Sequence, residues 1–275
     1  MKKRLSVTTL AVSLLCGLLL ASCEDWDWFE YHPYDCRITG EIGINRKNIA
    51  RIEEACKEDT TFRFAVISDT QRWYDETEDA VKAINARGDV DFVIHCGDQS
   101  DFGATKEFMW MRDIMRHFTM PYVCILGNHD CLGTGEEAYN RIYGNKNFAF
   151  TVGNTRFICL NTNALEYDYS EPVPDFNFIK QELDSLTPNI TKTIFAMHIA
   201  PYFSEFNDNV AYVFQLSLKQ FPNPQFAIFG HGHSVEVLDI FDDGFLYYEC
   251  GCARDRSYLL FTIHSTGYDY EVVHY

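Results

Sequence analysis

Five short strings in the chain combine the kinds of side chain that bind divalent metal ions. The strings are Asp69-Thr70-Gln71, Asp98 to Asp101, Asn128-His129-Asp130, His198, and His231-Gly232-His233. Their carboxylate, amide and imidazole groups suit Mn, Fe, Zn or Mg, and no thiolate is needed. Each string alone is also typical of a turn, a helix cap or a hydrogen-bonded strand end. Five of them together favour a metal centre.

Each of these strings closely follows an apolar run that is typical of a buried strand. The runs are residues 62–68, 91–96, 122–126, 192–197 and 226–229. Apolar residues at helical spacing in 75–87 and 105–118 separate the first three runs, with Thr105 as the expected cap of the second helix. This order predicts parallel strands joined by crossover helices. Because ligands bind beyond the carboxyl ends of such strands, we expect the strings to meet at one edge.

The second half of the chain is richer in strands. Residues 148–152 and 156–160 flank Gly153-Asn154, which is a hairpin signal, and four more strand-like runs cover 235–240, 245–249, 258–263 and 268–273. Helices are expected at about 174–186 and 209–220. So many strands exceed one open sheet, and we therefore predict an α/β fold of two packed mixed β-sheets flanked by helices. An aromatic content of 15% suits such an interior.

The N-terminus has the pattern of an export signal. Lys2, Lys3 and Arg4 precede an apolar run at 5–20, and Leu20-Ala21-Ser22-Cys23 resembles the lipobox of bacterial lipoproteins. An ordinary secretory signal and an uncleaved anchor are the alternatives. We expect a signal peptide at 1–22, a tether and short helix at 23–60, and the functional domain at 61–275. Lipid on Cys23 would hold the exported protein at the bacterial cell envelope, on its periplasmic or cell-surface face.

The charge of the chain narrows the class of partner. The chain has 23 basic and 40 acidic residues, and removal of residues 1–22 changes the net charge from −17 to −20 because it takes away three basic residues. Such a field repels polyanions, so no nucleic-acid polymer is expected as a partner. A small phosphate ester would need bound cations to attract it.

The cysteines fall into two groups. Cys96, Cys124 and Cys159 lie within apolar runs and are interpreted as buried small side chains. Cys36 and Cys56 are a conceivable disulfide, since an exported protein can keep one. No C-x-x-C sequence occurs, which argues against a zinc knuckle or a thioredoxin-type site.

The order of the polar strings resembles the calcineurin-like metallophosphoesterase superfamily. The resemblance covers about residues 62–264 and is carried by Asp69-x-Gln71, Gly97-Asp98-x-x-Asp101, Gly127-Asn128-His129-Asp130, His198 and Gly230-His231-Gly232-His233. It implies an α/β/β/α sandwich and two divalent metal ions, of Mn, Fe, Zn or Mg, as cofactors. It also implies hydrolysis of a phosphomonoester or phosphodiester by attack of a hydroxide bound to both metals.

The resemblance further implies which residues bind metal. They are Asp69, Gln71, Asp98, Asn128, His198, His231 and His233. Asp98 would bridge the two metals, Asp69 and His233 would complete the first site with Gln71, and the other three would complete the second. The family usually has histidine where Gln71 stands, so we expect a first site that is weaker or tuned toward a hard ion. Alternatively, Gln71 only hydrogen-bonds a metal-bound water.

Two further roles follow from the resemblance and the position of the residues. His129 would hydrogen-bond the phosphate and protonate the leaving oxygen, with Asp101 or Asp130 orienting its imidazole. The substrate contacts we predict are Arg254, Arg72 and Tyr202. A guanidinium can bind phosphate with two hydrogen bonds, although surface ion pairing is the ordinary role of such a residue.

Two other functions stay open at this point. One is a non-catalytic lipoprotein that binds a ligand or partner on the same fold, which Gln71 and the aromatic residues of 24–34 would suit. His129 argues against it, because a binding site needs no general acid. The other is an enzyme that cleaves a pyrophosphate or phospholipid bond.

Overall fold

The computed structural model describes residues 35–57, 59–164 and 171–275 of the chain. Within it, Cys36–Tyr275 forms one unit. The predicted signal peptide at 1–22, and residues 23–34 and 58 of the predicted tether and short helix, lie outside the described residues. Among the helices of the described ranges, none is long and apolar enough to cross a membrane.

The described ranges contain six α-helices, eleven β-strands and three short 3₁₀ helices. The α-helices are α1 (Ile44–Ala55), α2 (Tyr74–Arg87), α3 (Thr105–Met115), α4 (Gly135–Ile142), α5 (Phe176–Asp184) and α6 (Ala211–Leu218). The strands of the first sheet are β1 (Phe62–Ile67), β2 (Phe92–His95), β3 (Tyr122–Cys124), β10 (Ser257–His264) and β11 (Gly267–His274). Those of the second sheet are β4 (Phe148–Val152), β5 (Thr155–Leu160), β6 (Lys192–Met197), β7 (Pro224–Phe229), β8 (Glu236–Leu238) and β9 (Leu246–Glu249).

Both sheets are mixed, as the sequence predicts. The first has the strand order β11-β10-β1-β2-β3, in which β1, β2 and β3 are parallel and β10 and β11 are antiparallel to their neighbours. The second has the order β4-β5-β6-β7-β9-β8, with a parallel centre from β5 to β9 and an antiparallel strand at each edge. The crossover helices α2 and α3 connect the parallel strands of the first sheet, which confirms the strand–turn–helix prediction.

The two sheets pack face to face through aromatic rings. In β1, Phe64 points to the inter-sheet core and Ala65 points to the helices, because side chains alternate along a strand. Phe64 meets Phe157 of β5 edge to face, with ring centroids 5.3 Å apart. Phe92 of β2 meets Phe150 of β4 in the same way at 5.8 Å. Edge-to-face pairs of this kind add to the gain from burying the rings.

Helices cover the outer face of each sheet. On the first sheet, α2, α3 and α4 bury Ile84, Phe108 and Tyr139 in one apolar cluster. On the second, α5 and α6 bury Ile179 and Phe214 in another. The layers are therefore helix, sheet, sheet and helix, which confirms the predicted fold class.

The described N-terminal segment packs on the first sheet. Asn45 and Asn48 of α1 donate side-chain hydrogen bonds of 2.8 Å to the carbonyls of Cys124 and Tyr122 on β3. The helix is thus part of the unit that holds the predicted domain. The first residue of α3 is Thr105, and the capping residue is Ala104, one position earlier than predicted. Glu107 closes that end by accepting hydrogen bonds from backbone N–H groups, including that of Ala104 at 3.2 Å.

The cysteines of the described residues are buried or partly buried free thiols and form no disulfide. Cys96, Cys124 and Cys159 are fully buried, as predicted. The suggested disulfide between Cys36 and Cys56 is wrong, because both are free thiols. Cys36 lies beside Thr105 and Arg141 on the helical face of the first sheet, whereas Cys56 is buried in the core between the sheets.

Candidate metal centre

Strands of both sheets bring acidic and histidine side chains to one edge of the sandwich. Asp69 and Asp98 follow β1 and β2 of the first sheet, and His198 follows β6 of the second. The ligand atoms of these three buried side chains lie within 4.8 Å of one another. Buried carboxylates are costly unless a cation or hydrogen-bond donors compensate them. A cation between these groups would provide that compensation.

Asn128 links two of the histidines predicted for the second metal site. Its Oδ1 lies 2.9 Å from His198 Nε2 and 3.2 Å from His231 Nδ1. His198 Nε2 is also 3.4 Å from Asp98 Oδ1. The other ring nitrogen of His198 lies 2.7 Å from the carbonyl oxygen of Cys96. That carbonyl accepts a hydrogen bond from Nδ1–H, so Nε2 of the neutral ring carries the lone pair that a metal needs.

The residues predicted for the first site lie on the other side of Asp98. His233 Nε2 is 3.2 Å from Asp69 Oδ1. The amide nitrogen of Gln71 donates to Asp98 Oδ2 at 3.2 Å, and its Oε1 is buried with no hydrogen-bond partner among the described residues. A buried oxygen without a donor is rare in native proteins. This oxygen, two carboxylates and an imidazole form a donor set that fits a divalent cation.

The charges at this site couple strongly. Burial alone would lower the pKa of His198, but Asp98 and Asp69 outweigh it and raise that pKa to about 10. A hydrogen bond with Asp69 is the main cause of the raised pKa of His233. Burial, together with the nearby His198, lowers the pKa of His231 to about 4. Without a cation, a proton on His198 therefore offsets part of the charge of the buried carboxylates.

Several residues of the site hold left-handed backbone conformations that residues other than glycine rarely adopt. They are Asp69 (φ 52°), Arg72 (φ 60°), Asp98 (φ 60°), His231 (φ 73°) and His233 (φ 62°). Such conformations cost of order 1 kcal/mol or more each and persist only where the surroundings enforce them. Their concentration at one edge of the sandwich favours that edge as the candidate functional site.

His129 lies at the start of a 3₁₀ helix next to the carboxylates. Its backbone N–H donates to Asp98 Oδ1 at 3.0 Å, and its ring Nδ1 lies 2.8 Å from the carbonyl oxygen of Asp101. The Asp101 carboxylate is 3.8 Å from the same nitrogen and forms an ion pair with Arg72. Burial opposes protonation, but Asp101 and Asp98 raise the pKa of His129 above its ordinary value. Of the two acids predicted to orient this ring, Asp101 lies in contact with it.

Asp130 has a different position from the one that role requires. Its buried carboxylate accepts hydrogen bonds from the backbone N–H groups of Asp98 at 3.0 Å, Gln99 at 2.9 Å and Ser100 at 2.8 Å. It therefore holds the loop that carries Asp98 and does not contact the imidazole of His129 in any of these bonds. The carboxylate contributes to the site by fixing Asp98.

Glu249 supports the site and was missed by the sequence interpretation. Its buried carboxylate accepts hydrogen bonds from the backbone N–H of Ser234 at 3.0 Å and from its hydroxyl at 3.1 Å. A Cβ atom on Gly232 would come within 2.3 Å of Glu249 Oε1, so the loop between His231 and His233 lies directly on this carboxylate. The sequence signal that could have identified Glu249 was its position as an acid at the end of a strand-like run, like Asp69 and Asp98.

The predicted substrate contacts lie around the rim of the site. Arg72 pairs with Asp101, as described above, and Arg254 pairs with Asp255 at 3.0 Å while remaining exposed. Tyr202 is exposed, has a φ of 66° and contacts Phe241 with ring centroids 5.5 Å apart. Ser204, which was not predicted, lies 3.0 Å from His231 Nε2 through its hydroxyl.

The layers and the site together define a class of protein. Two mixed sheets flanked by helices, with carboxylate and histidine side chains gathered at the strand ends, form a sandwich of the metallophosphoesterase type. The model of the calcineurin-like phosphoesterase family matches residues 62–235, which is more than half of the chain, and the chain belongs to this family. No curated protein matches the chain in sequence.

Solved structures show the same fold at low sequence identity. A dimetal phosphatase from Danio rerio is 13% identical with a TM-score of 0.62, over 79% of this chain and 100% of that one. A purple acid phosphatase from yellow lupin (Lupinus luteus) seeds is 14% identical with a TM-score of 0.61, over 78% and 52%. GAP50, the anchor in the inner membrane complex of Plasmodium, is 16% identical with a TM-score of 0.57, over 78% and 85%. At these identities the likeness is one of fold.

Proposed function

We propose that this calcineurin-like phosphoesterase hydrolyses a phosphomonoester or phosphodiester with the help of two divalent metal ions. The observation that carries the proposal is the meeting of Asp69, Asp98 and His198, whose ligand atoms lie within 4.8 Å of one another although they come from two sheets. Core packing alone gives no reason to bury two carboxylates there. The dimetal phosphatase and the purple acid phosphatase share this fold, which supports the same class of reaction.

The donor set divides between two cations. Asp98 is the proposed shared ligand, because its Oδ1 faces His198 and its Oδ2 faces Gln71. Asp69, His233 and Gln71 would hold one cation, and Asn128, His198 and His231 the other. Mn, Fe, Zn and Mg all suit these oxygen and nitrogen donors. The chemistry that divalent cations supply in such a site is Lewis-acid activation of water and of the phosphoryl oxygens.

His129 is the proposed general acid. The carbonyl oxygen of Asp101 accepts the hydrogen of His129 Nδ1, which leaves Nε2 to hold the proton that the leaving oxygen needs. The neighbouring carboxylates of Asp98 and Asp101 favour the protonated ring, as the raised pKa indicates. A general acid of this kind contributes about 10²–10⁴-fold to the rate.

The remaining predicted residues take supporting roles in this proposal. Arg254 and Arg72 are the candidate contacts for the phosphate, and Tyr202 is a candidate contact for the rest of the substrate. The expected substrate is a small phosphate ester, since the net charge of −17 disfavours nucleic-acid polymers. For a small ester, the divalent cations bound at the site would overcome the repulsion between the substrate phosphate and the acidic protein.

We also infer that the chain is exported and held at the bacterial cell envelope by lipid on Cys23. Support comes from the basic residues at 2–4, the apolar run at 5–20 and the small residues before Cys23. Radiolabelled palmitate incorporation into the wild-type chain, and its loss in Cys23→Ser, would test this part. Equal labelling of both chains would contradict it.

The central test replaces the shared ligand. Asp98→Asn should lower hydrolysis of an aryl phosphate by at least about 10³-fold in a panel of Mn, Fe, Zn and Mg, with its far-ultraviolet spectrum unchanged. Asp269→Asn is the matched control, because Asp269 is an exposed residue of β11 that lies at the end of the first sheet where β1 begins, opposite the end that carries Asp69. Wild-type protein that binds less than one metal ion per chain and hydrolyses none of the esters would instead identify a non-catalytic binding protein.

A further inference from the structure

The rim beside His129 carries two exposed apolar side chains that the proposed reaction does not yet use. Phe102 is 68% exposed and Leu132 is 38% exposed. We propose that these two side chains form the subsite for the leaving group, so that the substrate is a phosphate ester of an apolar alcohol. The proposal rests on the function proposed above and adds the class of substrate to it.

The hydrogen bonds of His129 set the direction in which the leaving group departs. Its Nδ1 lies 2.8 Å from the carbonyl oxygen of Asp101, so Nε2 is the nitrogen that meets the leaving oxygen. A general acid must come within hydrogen-bond distance of the atom that it protonates. In the proposed complex the alcohol carried by that oxygen lies on the surface beside His129, which is bordered by the loops that hold Phe102 and Leu132.

Phe102 follows Asp101 directly and is held in a rigid turn. Its backbone N–H donates to Glu107 Oε2 at 3.0 Å. The next residue, Gly103, has a φ of 66°, and a Cβ atom there would lie 1.8 Å from the carbonyl oxygen of Leu132. Only glycine allows this close approach. The turn therefore keeps the Phe102 ring in solvent while its own backbone is fixed.

Leu132 closes the other side of the same surface. Its backbone N–H donates to the carbonyl of His129 at 3.3 Å, so it ends the 3₁₀ helix that His129 begins. Its carbonyl packs on Gly103, next to Phe102. Two separate loops thus present apolar side chains beside one general acid. Single exposed apolar residues are ordinary, but an apolar pair fixed next to a reacting group marks a binding surface.

The charges near this surface fit an uncharged alcohol. Arg72, a cation on this side of the site, forms an ion pair with Asp101. The pair has no net charge and is bound to the turn that precedes Phe102. A leaving group with its own phosphate would have to compete with Asp101 for Arg72, whereas an alkyl or aryl group would bury apolar area against Phe102 and Leu132.

An apolar ester can come from solution or, if the proposed lipid on Cys23 holds the chain at a membrane, from a lipid layer. Cys36, the first residue of the described unit, accepts a hydrogen bond at its carbonyl from Arg141 at 2.6 Å. Its thiol interacts with Thr105, at the start of α3 and close in sequence to Phe102. The chain therefore enters this unit close to the leaving-group side of the site.

The test compares esters that differ only in the alcohol. Methyl, butyl and octyl phosphates, each as the monoester and as the methyl diester, would be assayed with the full chain and the divalent metal ion that gives the highest rate. The ratio of kcat/KM for octyl to methyl ester should be at least about tenfold in the wild type and fall about tenfold in Phe102→Ser and in Leu132→Ser, mostly through KM. Phe102→Leu should keep most of the ratio.

Matched controls are available elsewhere on the surface. Val272 on β11 is as exposed as Leu132, at 38%, and Tyr212 on α6 is 63% exposed, close to the value for Phe102. Val272→Ser and Tyr212→Ser should leave the octyl-to-methyl ratio unchanged. β11 and β3 are the two opposite edge strands of the first sheet, and it is β3 that precedes His129 in the chain. Val272 therefore lies far from the proposed subsite. An equal fall in all four variants would overturn the assignment.

A second arm of the experiment distinguishes the two sources of an apolar ester. Octadecyl phosphate in phosphatidylcholine vesicles would be compared with octyl phosphate in solution, using the wild type and Phe102→Ser. Dependence on Phe102 in either arm supports the subsite, and the arm that shows it identifies the source. Hydrolysis of methyl and octyl esters at equal rates would overturn the subsite but not the proposed function. Failure to hydrolyse any ester would overturn the proposed function itself.

Discussion

His129 and Asp101 meet through a ring nitrogen and a backbone oxygen, with Nδ1 of the imidazole 2.8 Å from the carbonyl oxygen of Asp101. A backbone carbonyl can only accept, so the hydrogen on Nδ1 is fixed and the tautomer is set. The carboxylate of the same residue, 3.8 Å from that nitrogen, adds a negative charge beside the ring. Asp101 therefore both orients the imidazole and favours its protonated form.

His129→Ala should slow the hydrolysis of an ester more when its leaving oxygen is more basic, because a basic leaving oxygen has to be protonated as it departs. We expect a loss of about 10²–10⁴-fold for an alkyl phosphate and a much smaller loss for 2,4-dinitrophenyl phosphate, whose alcohol leaves without protonation. Steady-state rates with both esters measure the difference. Metal content should stay at the wild-type level, because His129 contributes only its backbone N–H to Asp98.

His117→Ala is the control for this variant, since His117 is an exposed histidine at the end of α3, away from the site. Equal losses for the two esters in His129→Ala would contradict a role in protonating the leaving oxygen. They would point instead to a role in binding the phosphate.

Gln71 offers a second prediction because it is an amide side chain at a position of the proposed metal site where the resemblance of the sequence led us to expect histidine. Its side chain is 4% exposed, and its Oε1 has no hydrogen-bond partner among the described residues. Gln71→His replaces a weak neutral oxygen with an imidazole, which Zn prefers. We expect Zn affinity to rise about tenfold at one of two sites and Mg affinity to rise less. Competition with a fluorescent chelator measures both.

Gln71→Leu is the informative comparison for that substitution. It keeps the apolar bulk but removes the 3.2 Å hydrogen bond to Asp98 Oδ2 and the spare oxygen. If Gln71 is a metal ligand, Gln71→Leu weakens one metal site while the other is retained. Equal affinities in the wild type and in Gln71→Leu would assign Gln71 to a role outside metal binding.

The third prediction concerns Glu249, which supports the loop of the metal ligands but is not itself a proposed ligand. Glu249→Ala leaves the N–H and hydroxyl of Ser234 without their acceptor, at a cost of about 2–4 kcal/mol in the free energy of unfolding. Metal affinity should fall about 10–100-fold, because the loop carrying His231 and His233 lies on this carboxylate. Denaturant unfolding and metal titration measure the two effects.

Glu249→Gln retains one acceptor oxygen and should lie between the wild type and Glu249→Ala in both measurements. Glu236→Ala is the matched control, since Glu236 is exposed on β8 and pairs opposite Glu249 in the sheet. A loss of stability in Glu249→Ala without any loss of metal affinity would restrict the residue to holding the fold.

The sequence predicted most of the fold because its signals are local. Strand-like runs end in Asp69, Asp98 and Asn128, and the helical spacing between them requires parallel strands whose carboxyl ends share an edge. The number of strands then requires two sheets. The same reasoning brings His198 and His231 to that edge, and the structure places both of them within 3.2 Å of Asn128.

What the sequence did not predict depends on contacts between distant segments. The role of Glu249 needs the neighbouring parallel strands β7 and β9, and that pairing brings the carboxylate under a loop that follows β7. The carboxylate of Asp130 faces the loop after β2 rather than the adjacent His129. The suggested Cys36–Cys56 bridge failed for the same reason, because spacing in sequence carries no information on distance.

Metal affinity should depend on pH, because the pKa of His198 depends on the neighbouring carboxylates. In the metal-free protein its pKa is raised to about 10, because Asp98 and Asp69 outweigh the effect of burial, and the pKa of His233 is raised as well. With a pKa of about 10, His198 keeps its proton at neutral pH. A cation needs the unprotonated ring, so binding must release protons.

Metal affinity should therefore increase as the pH rises from 6 to 9, by up to about tenfold per pH unit for each proton released. His231 contributes no proton, since its pKa is lowered to about 4. Titration calorimetry in buffers of different ionisation enthalpy should detect proton release at pH 7 in the wild type and, although His231→Ala binds metal more weakly, an unchanged number of protons per bound metal ion in that variant. Binding enthalpies that do not depend on the buffer would contradict this prediction, because a neutral His198 has no proton to give.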